Sequence, residues 1–159
     1  MITRIVSGGQ TGVDRAALDV ALELGLPCGG WCPRGRRAED GRIDDRYPLS
    51  ETPWDGYPQR TEWNVRDSDG TLILTCGEPD RGTILTVRLT QERKKPCFVV
   101  DINGDIDVSA IRAWAEANGV RVLNVAGPRE SSSPGIHDRA ADLLRRLLRQ
   151  TQEISPATP

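Results

Sequence analysis

Short apolar runs alternate along this chain with longer amphipathic stretches, the rhythm of strands and helices taken in turn. Ile2 to Ser7 reads as a first strand, and Val13, Ala17, Val20, Ala21 and Leu24 recur at helical spacing from Thr11 to Leu24. Gly25 and Pro27 then stop that helix. Cys28 to Cys32 is a weaker, glycine-broken strand. Thr71 to Cys76 and Pro96 to Val100 read as strands on either side of a helix from Gly82 to Arg93, which carries Leu85 and Leu89 on one face. A helix from Val108 to Asn118 stops at Gly119, Arg121 to Val125 is strand-like, and Ile136, Ala140, Leu143, Leu144, Leu147 and Leu148 mark a last long helix. Between them 33–66, rich in Arg, Asp, Pro and Gly, is predicted to be one long loop insertion, of a length that compact domains keep for function.

This pattern predicts an α/β fold: a doubly wound, Rossmann-like parallel sheet of about five strands flanked by helices. It forms one domain over 1–149, with 150–159 as a flexible polar tail. In such sheets ligands sit at the carboxyl ends of the strands, so the residues just after each strand are the informative ones. A chain of 159 residues with 37% hydrophobic content and 16 glycines fills an ordinary core, which excludes disordered and collagen-like classes. No apolar run approaches the ~20 residues of a membrane span, and Met1-Ile2-Thr3-Arg4 begins no signal peptide, so the expectation is a cytoplasmic protein without a membrane partner. Basic and acidic residues, 21 against 23, are mixed along the chain, which argues against nucleic acid and for a small ligand. Nineteen of the basic residues are Arg, suited to bidentate phosphate contacts, although a GC-rich genome gives the same bias. The spacing of Cys28, Cys32, Cys76 and Cys97 does not suit a zinc site, and His137 is the only histidine, so no metal ligands are assigned.

Three glycine-containing turns follow predicted strands. The first is Ser7-Gly8-Gly9-Gln10-Thr11-Gly12-Val13-Asp14-Arg15, where the backbone can approach a ligand closely and the start of a helix favours an anion. It matches neither a Walker A loop nor a GxGxxG fingerprint. The second is Cys76-Gly77-Glu78-Pro79-Asp80-Arg81-Gly82-Thr83, and the third is Ala126-Gly127-Pro128-Arg129-Glu130-Ser131, whose Arg can grip a phosphate. Each also reads as ordinary turn and capping chemistry; together they point to a phosphorylated ligand at one sheet edge. Trp31, Trp54 and Trp63 are stacking platforms or packing residues, and Trp114 is core.

The stretch from Ser7 to Asp19, taken with Gly35-Arg36-Arg37-Ala38-Glu39-Asp40-Gly41, Arg60-Thr61-Glu62-Trp63-Asn64-Val65, Asp67-Ser68-Asp69, Gly82-Thr83 and Ala126-Gly127-Pro128-Arg129, resembles the molybdenum carrier family. That family is similar to the lonely-guy and lysine-decarboxylase-like Rossmann-type proteins, which include nucleotide phosphoribohydrolases. Those enzymes carry a PGGxGTxxE turn whose glycines bind phosphate and whose acid serves catalysis. Here the matching stretch is Arg81-Gly82-Thr83-Ile84-Leu85-Thr86, with Thr86 in the place of the acid. The resemblance implies non-catalytic binding, storage or transfer of molybdenum cofactor, a phosphorylated molybdopterin, as cargo. It also implies a homo-oligomer, dimer or tetramer, with molybdoenzymes as recipients. Gly8, Gly9, Thr11, Gly12, Gly82, Thr83 and Arg129 would surround the phosphate, with Gln10, Asp14, Arg15, Arg36, Glu39, Asp40, Arg60, Thr61, Asn64, Gly77, Gly127 and Ser131 completing the site. The alternative is a nucleotide ligand, bound by a sensor or by a nucleoside monophosphate phosphoribohydrolase using Asp14, Glu39, Asp40 or Glu62 as general base.

Overall fold

Six consecutive buried residues, Gly70 to Thr75, make an interior strand whose unbroken apolar run marks a sheet covered on both faces. The computed structural model describes residues 1–149, so the tail expected at 150–159 lies outside the described residues. In chain order the elements are β1 (Arg4–Val6), α1 (Val13–Glu23), β2 (Cys28–Gly29), β3 (Trp31–Cys32), β4 (Arg37–Ala38), β5 (Gly41–Arg42) and β6 (Ser50–Glu51). They continue with α2 (Tyr57–Arg66), β7 (Gly70–Thr75), α3 (Arg81–Glu92), β8 (Cys97–Asp101), α4 (Val108–Ala117), β9 (Val122–Ala126) and α5 (Ile136–Arg149). The central sheet is parallel with order β2-β1-β9-β7-β8, as the βα rhythm predicts. Ile5 sits opposite Cys28 and Leu123, and Leu72 opposite Phe98 and Val125.

The chain leaves β1 outward to β2 and leaves β7 outward in the opposite direction to β8, so right-handed crossovers put α1 and α3 on opposite faces. α5 packs on α1 and α4, and α2 packs on α3. The apolar stripe of α5, Ile136, Ala140, Leu143, Leu144, Leu147 and Leu148, is buried in full. Between β1 and β7 lies β9, and the carboxyl ends of these three strands border the crevice where the strand order reverses.

Two expectations need correction. The candidate strand 28–32 splits at Gly30, whose φ of +129° and contact with the Ser7 backbone leave no room for a Cβ. β2 therefore joins the central sheet, while β3 pairs with β6 in a separate small one. Nor is 33–66 one loop: it holds the β4–β5 hairpin, β6 and the ten-residue helix α2.

The ordered part of this insertion is built around one buried cation. Arg36 is 8% exposed, and its guanidinium donates to the carbonyl oxygens of Ile43 (3.0 Å), Leu49 (3.2 Å), Asp44 (2.8 Å) and Tyr47 (2.8 Å). Tyr47 in turn donates to Asp19 of α1 at 2.5 Å, and Asp19 hydrogen-bonds His137 of α5 at 2.8 Å, which fastens the insertion to the body of the fold. Arg36→Lys keeps the charge but replaces a planar fork by a point donor that cannot satisfy four carbonyls. We expect it to lower stability by about 2 kcal/mol or more, from lost charge-assisted bonds, and to open 33–51 to limited proteolysis. Unchanged denaturant midpoints and protease resistance would show that this knot is dispensable.

Candidate functional site

A cavity of about 130 Å³ opens at the carboxyl ends of β1, β7 and β9, under α2 and beside the start of α3. The turn after β1 supplies Gly8, Gln10 and Asp14, α2 supplies Arg60, Thr61 and Asn64, α3 supplies Gly82 and Thr83, and the turn after β9 supplies Gly127 and Arg129. All ten were expected from sequence. Asp80, Thr86 and Asn124 also line it, with the Ile73 and Val125 backbone region as floor. Asn124 carried a signal, a polar residue inside the apolar run of β9, and Thr86 follows Gly82 by one helical turn.

Arg60 shapes the inner wall. Its Nη1 donates to the Gly8 carbonyl at 3.0 Å and lies 3.4 Å from the Asp14 carboxylate, over a glycine whose Cβ would collide with it. Burial raises the Asp14 pKa above the ordinary carboxylate range, and the Arg60 charge offsets part of that rise. Gln10 is 5% exposed, and its Oε1 accepts from the backbone N–H of Thr11 (3.1 Å) and of Glu39 (2.9 Å). Those two bonds fix which end of the amide is oxygen. The remaining donor, Nε2, is buried with no partner.

At the mouth, α3 is capped by Asp80, whose carboxylate accepts from Thr83 N–H at 2.8 Å. No acceptor for the N–H groups of Arg81 and Gly82 occurs among the described residues, so this helix start is open to an anion. The start of α1 is different. Its first N–H, on Val13, donates to the Pro128 carbonyl at 3.2 Å, and Gly12 (φ +80°) is glycine because a Cβ there would strike the same carbonyl. The first N–H of α1 is thus spent on the β9 turn.

The other expected residues lie outside the cavity lining, each with a partner or a packing role. Gly9 packs against Leu49 and Ile43, and Gly77 N–H donates to Asp101 at 3.2 Å. Arg36 is spent on the insertion's carbonyls. Arg15 pairs with Asp40 and donates to Gly9 O at 3.1 Å, which holds the Asp40 carboxyl below the usual range. Glu39 accepts from Ser131 Oγ (2.5 Å), Ser131 N–H (3.2 Å) and Thr11 Oγ1, bonds that lower its pKa. Glu62 pairs with Arg93 at 2.8 Å. Asp67 and Asp69 are structural, the first accepting from Trp31 Nε1 at 2.8 Å and the second from Arg121 and Val122 N–H at the start of β9. Trp31 packs edge-on against Trp63, Trp114 packs on Phe98, and no tryptophan lines the cavity. Among the described residues no group of three or more His, Cys, Asp or Glu is placed to hold a metal ion, and no helix is long and apolar enough to cross a membrane.

A five-stranded parallel sheet flanked by helices, with a polar cavity at its strand ends, defines a Rossmann-like α/β domain. The sequence model of the circularly permutated YpsA SLOG family matches residues 5–148, and the chain belongs to that family. It is also similar to a solved structure from Syntrophus aciditrophicus SB named "Putative molybdenum carrier protein", with 46% identity and a TM-score of 0.89, covering 92% of this chain and 95% of that one. No curated protein matches.

Removing Arg60 would leave Asp14 buried without its counter-charge, a change that typically destabilises by about 3–5 kcal/mol. Because a proton on Asp14 relieves that penalty, the deficit of Arg60→Met should be larger at high pH and shrink as pH falls through the Asp14 pKa, which the loss of Arg60 raises further. Urea midpoints of both proteins at pH 7 and pH 4 test this; an equal deficit at the two pH values would mean that Asp14 is not the group involved.

Proposed function

We propose that this protein binds molybdenum cofactor as cargo and does not turn it over. The observation that carries the reading is a cavity lined by the amides of Gln10, Asn64 and Asn124, with the Gln10 Nε2 buried beside it without a partner. A buried donor without a partner is unfavourable by about 1–3 kcal/mol, and the acceptor-rich edge of a pterin would satisfy it. Binding pockets for whole drug-sized ligands run to about 300–1,000 Å³, so a cavity of about 130 Å³ takes one end of such a molecule. On this reading Gln10, Asn64 and Asn124 would hold the pterin, and the start of α3 with Arg129 would hold the terminal phosphate. The name of the 46% identical solved relative supports the choice of cargo. Assembly as a homo-oligomer and delivery to molybdoenzymes are the further parts of this reading.

One observation favours a second reading, nucleotide hydrolysis. Of the four candidate bases, Asp14 alone lines the cavity, and its pKa is raised. The two readings separate by experiment. Protein expressed in a bacterium that makes molybdenum cofactor is denatured, and released molecules are analysed by mass spectrometry, molybdenum content and oxidised-pterin fluorescence. Pterin and molybdenum near stoichiometric with protein are expected. Release of free base from nucleoside monophosphates would overturn the carrier reading.

Gly82 gives a test of the mouth. A Cβ there meets only Asp80 Oδ1, at 3.5 Å, so Gly82→Val fits the fold while filling the approach to the α3 N–H groups. We expect at least tenfold weaker ligand retention, about 1.4 kcal/mol, with thermal stability unchanged or slightly raised. Full retention by the variant would remove α3 from the site.

A further inference from the structure

We propose that Arg37, Arg129 and the face of Tyr57 form a second anion subsite at the cavity mouth, so that the ligand carries two anionic groups, as a diphosphate ester does. This rests on the reading of a phosphate at the start of α3. Three guanidiniums lie over the single Tyr57 ring: Arg60 at 5.1 Å, Arg37 at 5.6 Å and Arg129 at 5.6 Å from its centroid. They arrive from three segments, β4, α2 and the turn after β9, so the convergence is made by the tertiary fold and not by local sequence. Arg60 is already committed to Asp14 and the Gly8 carbonyl. Arg37 and Arg129 are exposed, and neither guanidinium is hydrogen-bonded to a carboxylate or carbonyl among the described residues, although the Arg129 charge is felt by the Glu39 carboxylate.

Placement of Arg37 is also unfavourable by itself. In the β4–β5 hairpin it stands directly opposite Arg42, a like-charge pairing that weakens a ladder. Arg42 is neutralised by Asp45 at 2.7 Å, which leaves Arg37 as the uncompensated charge. Resting a guanidinium on an aromatic face restricts its rotamers and leaves the in-plane N–H fork free, the geometry that takes phosphate oxygens two at a time. Because both arginines lie over one ring, their guanidiniums are no more than twice 5.6 Å apart, within reach of adjacent phosphates of one ligand. Arg129 lines the cavity and so borders both subsites.

The test uses the full chain with two simple probes, inorganic phosphate and pyrophosphate, titrated by calorimetry and by thermal shift. Any basic surface prefers the more highly charged anion, so the decisive quantity is the dependence on Arg37. Arg37→Met keeps an apolar stem on Tyr57 and should weaken pyrophosphate about tenfold, the loss of one charge-assisted contact, while phosphate affinity stays the same. Arg37→Lys should recover part of the loss, and Arg42→Met should leave both affinities unchanged. If phosphate binds and Arg37→Met alters neither anion, or both equally, the second subsite is wrong and the phosphate site at α3 stands. If neither anion binds the native protein, both fail together.

Discussion

The site depends on a buried ion pair. Asp14 sits in the first turn of α1, where a carboxylate suits the helix dipole but burial opposes its charge. Arg60 offsets part of that conflict by reaching from α2 across Gly8, whose missing side chain leaves room for the guanidinium. One guanidinium thereby joins the helix of the insertion to the turn after β1. With that roof in place, β9 becomes the floor and the start of α3 a wall, and the crevice of an open α/β sheet becomes a shielded polar cavity. Removing either charge would leave the other buried without its partner, so the position of α2 and the ionisation of Asp14 support each other.

The hydrophobic pattern made most of this architecture legible. β7, β8, β9 and four of the five helices announce themselves by apolar periodicity, because each buries an apolar face against the sheet or a neighbouring helix. Helix α2 escaped for a physical reason: the side it turns inward carries Arg60, Thr61 and Asn64, which line a polar cavity, so its sequence lacks the usual stripe. Arg36 shows the opposite ambiguity. An arginine in a charged, glycine-rich segment looks like a ligand contact, yet a loop with no core of its own needs donors for its carbonyls, and a guanidinium supplies five. The residue type is the same in either duty, and only the tertiary path decides between them. Glu39, Thr11 and Ser131 follow this rule as well, tying the insertion to two strand-end turns.

The glycines divide in the same way. Gly12 and Gly30 are required by backbone approaches within the protein, and Gly9 by the packing of Leu49 and Ile43. Gly82 has open space around it, at a helix start whose first N–H groups stay unpaired among the described residues. A glycine that the fold does not need, next to donors that the fold does not use, is where a ligand leaves its mark on a sequence. On the proposed reading, the phosphate therefore falls at the second of the three glycine turns, with the first spent on the fold's own contacts.

Position 86 bears on the choice between holding and transforming a ligand. Thr86 lines the cavity where the resembling hydrolases place a catalytic acid, and its hydroxyl donates to the Gly82 carbonyl at 2.8 Å. That bond commits its proton to the helix and leaves the oxygen only as an acceptor toward the cavity. Asp14, an inner carboxylate, is held by Arg60, so accepting a proton there means weakening the pair that supports the roof. Gln10 and Asn124 are amides without titration near neutrality. On the carrier reading, the inner wall recognises a ligand by fixed donors and acceptors.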